Sequence, residues 1–115
     1  MVRIREIVRV TIGLALVLSA AAVLAADYPA PVEGSWTARD FRFHSGEVMS
    51  ELRMHYRTIG APTGEPVVVL HGTGGSGAAF LTPTFAGELF GPGQALDASR
   101  YYIILPDAVG HGRSG

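Results

Sequence analysis

The sequence predicts an α/β fold in which an antiparallel hairpin leads into a parallel sheet with a crossover helix. Three observations carry this reading. Phe41 and Phe43 alternate with Arg42 and His44, and Leu52, Met54 and Tyr56 alternate with Arg53, His55 and Arg57. Two period-2 runs about a "SGE" turn spell a hairpin with one wet face. Val67–Leu70 and Tyr101–Leu105 are instead continuous apolar runs, the pattern of strands buried on both faces.

Taken in order, residues 1–25 read as a leader. Arg3, Arg5 and Arg9 form a positive region, and Val10 to Leu24 is apolar except for Thr11, Gly13 and Ser19. Val23 and Ala25 then supply the small residues of a cleavage site before Ala26, as in a secretory signal peptide. The alternative is a retained anchor helix. A helix from Val10 to Ala26 spans roughly 25 Å, short of the hydrocarbon core of about 30 Å, which favours the cleaved leader. The expected location is therefore exported, periplasmic or secreted, with the membrane met only through the export signal. No twin-arginine pair is present, so export of the unfolded chain is expected, without a tightly held cytosolic cofactor.

Residues 26–40 contain "DYPAPVEGS" and read as an extended linker. The hairpin follows, with His44 and His55 on its polar face. Their reading is solvent-facing strand residues, since no His-x-His or His-Glu-x-x-His spacing occurs. After the Val67–Leu70 strand, "TPTFAGELF" offers Thr82 as N-cap and Pro83 at the first helical position, and Gly91–Gly93 stops the helix. Strand, helical crossover and second buried strand make a βαβ unit of expected right hand. Such a domain normally continues with further strand–helix pairs. Residues 41–115 are thus expected to be the front portion of a longer domain, leaving one strand bare at a sheet edge.

Composition removes several functions. All nine cationic side chains are Arg, against ten acidic ones, for a formal charge of −1, and the mature part carries six and nine. No cationic cluster suggests nucleic acid. There is no Cys, so no disulfide, thiolate nucleophile or thiolate-bound metal belongs to this segment, and without Lys there is no Schiff base.

The informative stretch is "VVVLHGTGGSGAAF", residues 67–80, where Gly72, Gly74, Gly75 and Gly77 nearly exclude side chains. A P-loop fails because Ala78 and Ala79 stand where Lys and a hydroxyl residue belong. A dinucleotide cradle fits Gly72, Gly74 and Gly77. Against it stand Pro83, which breaks the helix that should follow, and Asp107, which lies 30 residues past Gly77 where about 20 are expected. The third reading is an oxyanion-hole turn. Acyl transfer builds negative charge on a carbonyl oxygen, and fixed backbone N–H groups stabilise it. One donor comes from a loop of this kind and the other from the residue after the nucleophile. Thr73 is the expected donor, with Gly74 next.

"VVVLHGTGG" followed by "YYIILPDAVGHGRSG" resembles the amino-terminal third of α/β-hydrolase-fold proteins, with Asp107, Gly110, Gly112 and Ser114 matching D-x-x-G-x-G-x-S. More narrowly, "FRFHSGEVMSELRMHYRTIG" and "GPGQALDASRYYII" resemble the homoserine O-acetyltransferase branch. The resemblance runs from Asp40 to Gly115 and implies the N-terminal part of an α/β-hydrolase fold. The His71-Gly72-Thr73-Gly74-Gly75 turn and the "GHGRSG" loop depart from that branch's usual His-Ala-Leu-Thr-Gly and Asn-x-Leu-Gly patterns. They lean toward a hydrolase of an ester or similar acyl bond in a small molecule, with no cofactor. An acetyltransferase-like acyltransferase comes second, and the alternatives of another class are a non-catalytic hydrolase-like binding protein and, last, a dinucleotide-binding dehydrogenase.

Ser76, Asp107 and His111 run in the order Ser…Asp…His, but Ser76 lies six residues past Leu70, away from a strand-to-helix elbow. Asp107 and His111 share one loop and are expected to pair with each other. Nucleophile, triad acid and triad histidine are therefore expected beyond Gly115. This segment supplies Thr73 and Gly74, with His71, Gly72, Gly75, Asp107, Gly110, His111 and Gly112 as the supporting loops. His71 is expected to fix its loop through ring hydrogen bonds. Trp36 reads as a surface anchor, and Phe80, Phe85, Leu89 and Phe90 as core or pocket wall.

Overall fold

A computed structural model describes residues 26–115. The leader reading falls on residues 1–25, outside the described residues. Among the described residues no helix is long and apolar enough to cross a membrane.

Four strands form one mixed sheet: β1 (Val32–Arg42), β2 (Val48–Ile59), β3 (Glu65–Val68) and β4 (Tyr101–Pro106). Their spatial order is β1-β2-β4-β3. β1 pairs antiparallel with β2 from Val32↔Thr58 to Arg42↔Val48. β2 pairs antiparallel with β4, and β3 pairs parallel with β4. The hairpin and the parallel pair stand as the alternation and the apolar runs predict, and among the described residues β3 lies at one edge.

The registers divide the sheet into two faces. Ile59, Ile103, Leu105 and Val67 share the face on which the crossover packs, and Ala86, Phe90 and Ala98 complete the core. The opposite face carries Tyr56, Thr58, Tyr102, Ile104 and Val68. Among the described residues Val68 is 56% and Leu70 74% exposed, and one face of Val67–Leu70 is left uncovered. Among the described residues the crossover covers one face of β4, where Ile103 and Leu105 are fully buried, and Tyr102 and Ile104 on the other face are half-buried. An apolar run reports what a strand can bury, and the covering elements decide what it does bury.

Three further expectations need correction. β1 starts at Val32 and takes the end of the 26–40 segment read as a linker, while Tyr28 packs edge-on against Phe90 at 5.8 Å. Pairing along β2 takes up the backbone from Val32 onward in spite of Gly34. His55 is 3% exposed, not solvent-facing, because the loop after β4 covers that end of the sheet. The crossover helix does not start at Thr82 and Pro83. A 3₁₀ turn spans Gly77–Phe80, and helix α1 is only Ala86–Leu89. Pro83 lies in a turn whose Thr82 carbonyl accepts the N–H groups of Phe85 and Gly87, and Phe85 turns inward to Phe80 and Phe90.

The rest of the crossover is held by side chains. Gln94 accepts from Gly91 N–H at 2.6 Å and donates to the Gly87 carbonyl at 2.8 Å. Asp97 accepts the N–H of Gly93 and both the N–H and the hydroxyl of Ser99. The Gly93 bond, then those of Ser99, hold the Asp97 carboxyl below its ordinary value.

At the end of β2, Gly60 has φ +93°, and a Cβ there would meet the Tyr101 carbonyl and lie 2.6 Å from the Ala98 carbonyl. Gly60→Ala is therefore expected to destabilise the fold by about 2 kcal/mol or more, read as a lower urea midpoint at unchanged slope.

Candidate functional site

Asp107 follows β4 directly and is fully buried. Its own N–H donates to the His55 carbonyl at 2.9 Å, continuing the β2–β4 pairing by one step. Four donors meet its carboxylate. Oδ1 accepts from Gly77 N–H at 2.8 Å and from Arg57 Nη1 at 3.3 Å. Oδ2 accepts from Arg113 N–H at 2.9 Å and from His55 Nδ1 at 3.0 Å. Burial alone pushes the Asp107 carboxyl up, but the Arg113 and Gly77 N–H groups, His55 and Arg57 together hold it below its ordinary value. Hydrogen bonds to the charged form outweigh desolvation.

Two glycines make room for this group. A Cβ on Gly112, at φ +54°, would collide with Asp107 Oδ2. A Cβ on Gly77 would strike the Leu105 carbonyl and come within 3.2 Å of Leu105 Cβ. The close approach that demands glycine at 77 is thus to β4 itself. At Gly72 and Gly74 the reverse holds: a Cβ would meet nothing within 4 Å, and Gly74 is glycine for its φ of +80°.

Gly72 to Gly75 form a turn closed by Gly75 N–H to the Gly72 carbonyl at 3.1 Å. Among the described residues, the N–H groups of Thr73 and Gly74 donate to nothing, and both residues are exposed. His71 clamps this turn to the next loop. Its Nε2 accepts from Ala108 N–H at 2.9 Å, so Nδ1 carries the proton and donates to the Gly72 carbonyl at 2.8 Å. Half-buried His111 lies beside it, with ring centroids 5.5 Å apart. Gly110 has φ +76° and opens the turn that leads to His111. The His71–Gly75 turn and the Asp107–Gly112 loop thus sit side by side at the carboxyl ends of β3 and β4. In open α/β sheets ligands bind at these strand ends.

The structure corrects one pairing. Asp107 binds His55, while His111 Nδ1 faces the Val109 carbonyl at 3.2 Å. The short loop holds the His111 ring at its own backbone, whereas His55 meets the carboxylate from β2. Ser114 is buried, accepting His55 N–H and donating to the Asp107 carbonyl, each at 2.8 Å. A dinucleotide cradle is disfavoured further, since Asp107 has no surface left for a ribose and Gly77 N–H is already used.

Sequence reasoning missed Glu33, His55 and Arg57. Glu33 accepts Arg57 Nε at 3.1 Å on Oε1 and Arg113 Nη1 at 2.8 Å on Oε2. Burial pushes its carboxyl up, and Arg57, His55 and Arg113 more than offset this, holding it below the ordinary value. The period-2 pattern does put His55 and Arg57 on one face of β2. Nothing local says that an acid 52 residues from His55 covers that face. No group of three or more His, Asp or Glu converges to hold a metal among the described residues.

No family model matches the chain. A homoserine O-acetyltransferase of Haloferax prahovense is 33% identical over 89 residues, which are 66% of this chain and 21% of that protein. One of Leifsonia xyli subsp. xyli is 26% identical over 102 residues, 70% of this chain and 25% of that protein. The chain thus spans about a fifth to a quarter of the length of the curated relatives it matches. Among solved structures, a homoserine O-acetyltransferase from Staphylococcus aureus superposes with TM-score 0.59 at 21% identity, over 74% of this chain and 27% of that one. An esterase superposes with TM-score 0.59 at 17% identity, over 71% and 25%.

Two outcomes follow from the buried carboxylate. Asp107→Ala leaves Gly77, Arg113 and His55 without their acceptor and is expected to cost about 3 kcal/mol or more in chemical denaturation. The pH dependence has a definite sign. A carboxyl held below its ordinary value of 3.8 contributes stability that is fully present above that value and lost as pH falls through the lower folded value. Thermal scans are expected to show the melting temperature dropping below about pH 4 in the parent chain and more shallowly in Asp107→Asn.

Proposed function

For a chain that carries the opening strands of an α/β-hydrolase fold, we propose that the whole protein transfers an acyl group from a small-molecule ester through a serine nucleophile supplied beyond Gly115, with water as acceptor. The observation that carries this is the open Gly72–Gly75 turn at the end of β3. Among the described residues its Thr73 and Gly74 N–H groups are uncommitted, and His71 and Gly74 fix its shape. Such donors stabilise the oxyanion without reorganising as charge develops. The reaction proceeds by serine attack on the acyl carbon, collapse of the tetrahedral intermediate with loss of the alcohol, and hydrolysis of the acyl-enzyme. Residues 1–25 would export the protein.

A second reading has a hydroxyl compound as acceptor in place of water. Curated relatives named homoserine O-acetyltransferase favour it. The His71–Gly75 turn and the "GHGRSG" loop support water, since both depart from the acetyltransferase pattern.

The test uses the protein encoded through and beyond codon 115. It is expected to react with a fluorophosphonate and to turn over short-chain aryl esters. Thr73→Pro, which removes the backbone donor, is expected to lower kcat about a hundred-fold with little change in KM. Acyl product on homoserine in preference to water would select the second reading. Absence of any fluorophosphonate adduct on a folded protein would leave a non-catalytic binding protein.

A further inference from the structure

The ring of His55 is buried between two carboxylates from different elements. Nδ1 meets Asp107 Oδ2 at 3.0 Å in the loop after β4, and Nε2 lies 3.4 Å from Glu33 Oε2 on β1. The two contacts are unlike. The first is a hydrogen bond that fixes a proton on Nδ1, because an ionised carboxylate can only accept. At the second, Nε2 is buried and has no hydrogen-bond partner among the described residues. While it is neutral, the ring points a lone pair at a carboxylate oxygen. Native structures rarely leave a buried polar atom in that state without a reason.

We propose that His55 is a proton-operated strut between the edge strand β1 and the loop that follows β4. On taking one proton from solvent, Nε2 becomes a donor to Glu33 Oε2 while Nδ1 keeps its bond to Asp107. One imidazolium then ties β1 to the buried carboxylate through β2. When the proton leaves, the Glu33 end is released, and β1 keeps only its pairing with β2 and the arginine contacts.

Every charged group facing the ring fits this role. Glu33 and Asp107 flank it, and both are held in the ionised form. Arg57, on β2 itself, reaches Glu33 Oε1 and Asp107 Oδ1 and so balances both acids from the side. Arg113, on the covering loop, donates to the same Glu33 oxygen that Nε2 faces and keeps it pointed at the ring. Ser114 Oγ accepts the His55 backbone N–H and leaves the ring free. The strut is separate from the proposed acyl-transfer chemistry and stands or falls without it.

The test is amide hydrogen exchange of β1 in the ¹⁵N-labelled full chain between pH 5 and 8, corrected for intrinsic exchange, with the His55 ring nitrogens followed in parallel. In the parent chain β1 protection is expected to fall about five-fold as Nε2 loses its proton, the effect of one hydrogen bond. Glu33→Gln is the informative variant, because its side-chain amide can donate to a neutral Nε2. Glu33 is half-exposed, so this change leaves the core intact. Its β1 protection is expected to be flat across the same range. The same pH profile in both chains would overturn the proposal and assign the effect to another histidine. A flat profile in the parent chain, or an Nε2 that carries no proton when β1 is most protected, would also overturn it.

Discussion

A single buried carboxylate organises the carboxyl end of this sheet. Removing Asp107 from water is costly, and the cost is met only because four donors from three places reach it: Gly77 after β3, His55 and Arg57 on β2, and Arg113 in the loop after β4. Each donor is thereby fixed relative to the others. Gly77 and Gly112 follow as necessities, since a side chain at 112 would collide with the carboxylate and one at 77 with β4. The exposed Gly72–Gly75 turn stands on this base, joined to it through His71 and the Ala108 amide. The chemistry of the surface is thus set by a charge that never meets solvent.

A second acid does similar work in the crossover. Only two short helical pieces lie between β3 and β4, so regular helix bonding satisfies few of its backbone groups. Asp97 and Gln94 supply the rest by binding the amides of Gly93, Ser99 and Gly91 and the Gly87 carbonyl. This gives a physical meaning to the "GPGQALDAS" pattern. Its glycines and acid are turn chemistry that carries an irregular segment back across the core. Phe90, Ala86 and Ala98 then bury the face that Ile103 and Leu105 present.

The strands and their pairing were legible because alternation and continuous apolar runs are local properties. So was the glycine turn after β3, since a left-handed backbone and an absence of side chains leave a mark in composition. Burial was less legible. His55 alternates with apolar residues as a surface strand residue would, and only the loop from Asp107 to Ser114 changes that. Thr82 and Pro83 read as a helix start from chemistry that also suits a turn, and the inward pull of Phe85 decided between them. Asp107 was singled out by its motif, but its partner was misassigned. Proximity in sequence favoured His111, whereas the fold brought His55 from 52 residues away.

Those separations also order events in time. The β1–β2 hairpin is a local structure, closed by a turn of a few residues. The bonds around the buried carboxylate span 30 residues for Gly77 and 52 for His55, and the exposed pair of Glu33 with Arg113 spans 80. Loop-closure entropy must be met before such contacts give anything back, so they form late. On a growing chain, Glu33 and His55 therefore emerge as ordinary hydrated side chains and keep that character until residue 113 has left the ribosome. The β1–β2 hairpin is written before the residues that lock it, and a nascent polypeptide of this sequence stays threadable at least until the loop from Asp107 to Ser114 arrives.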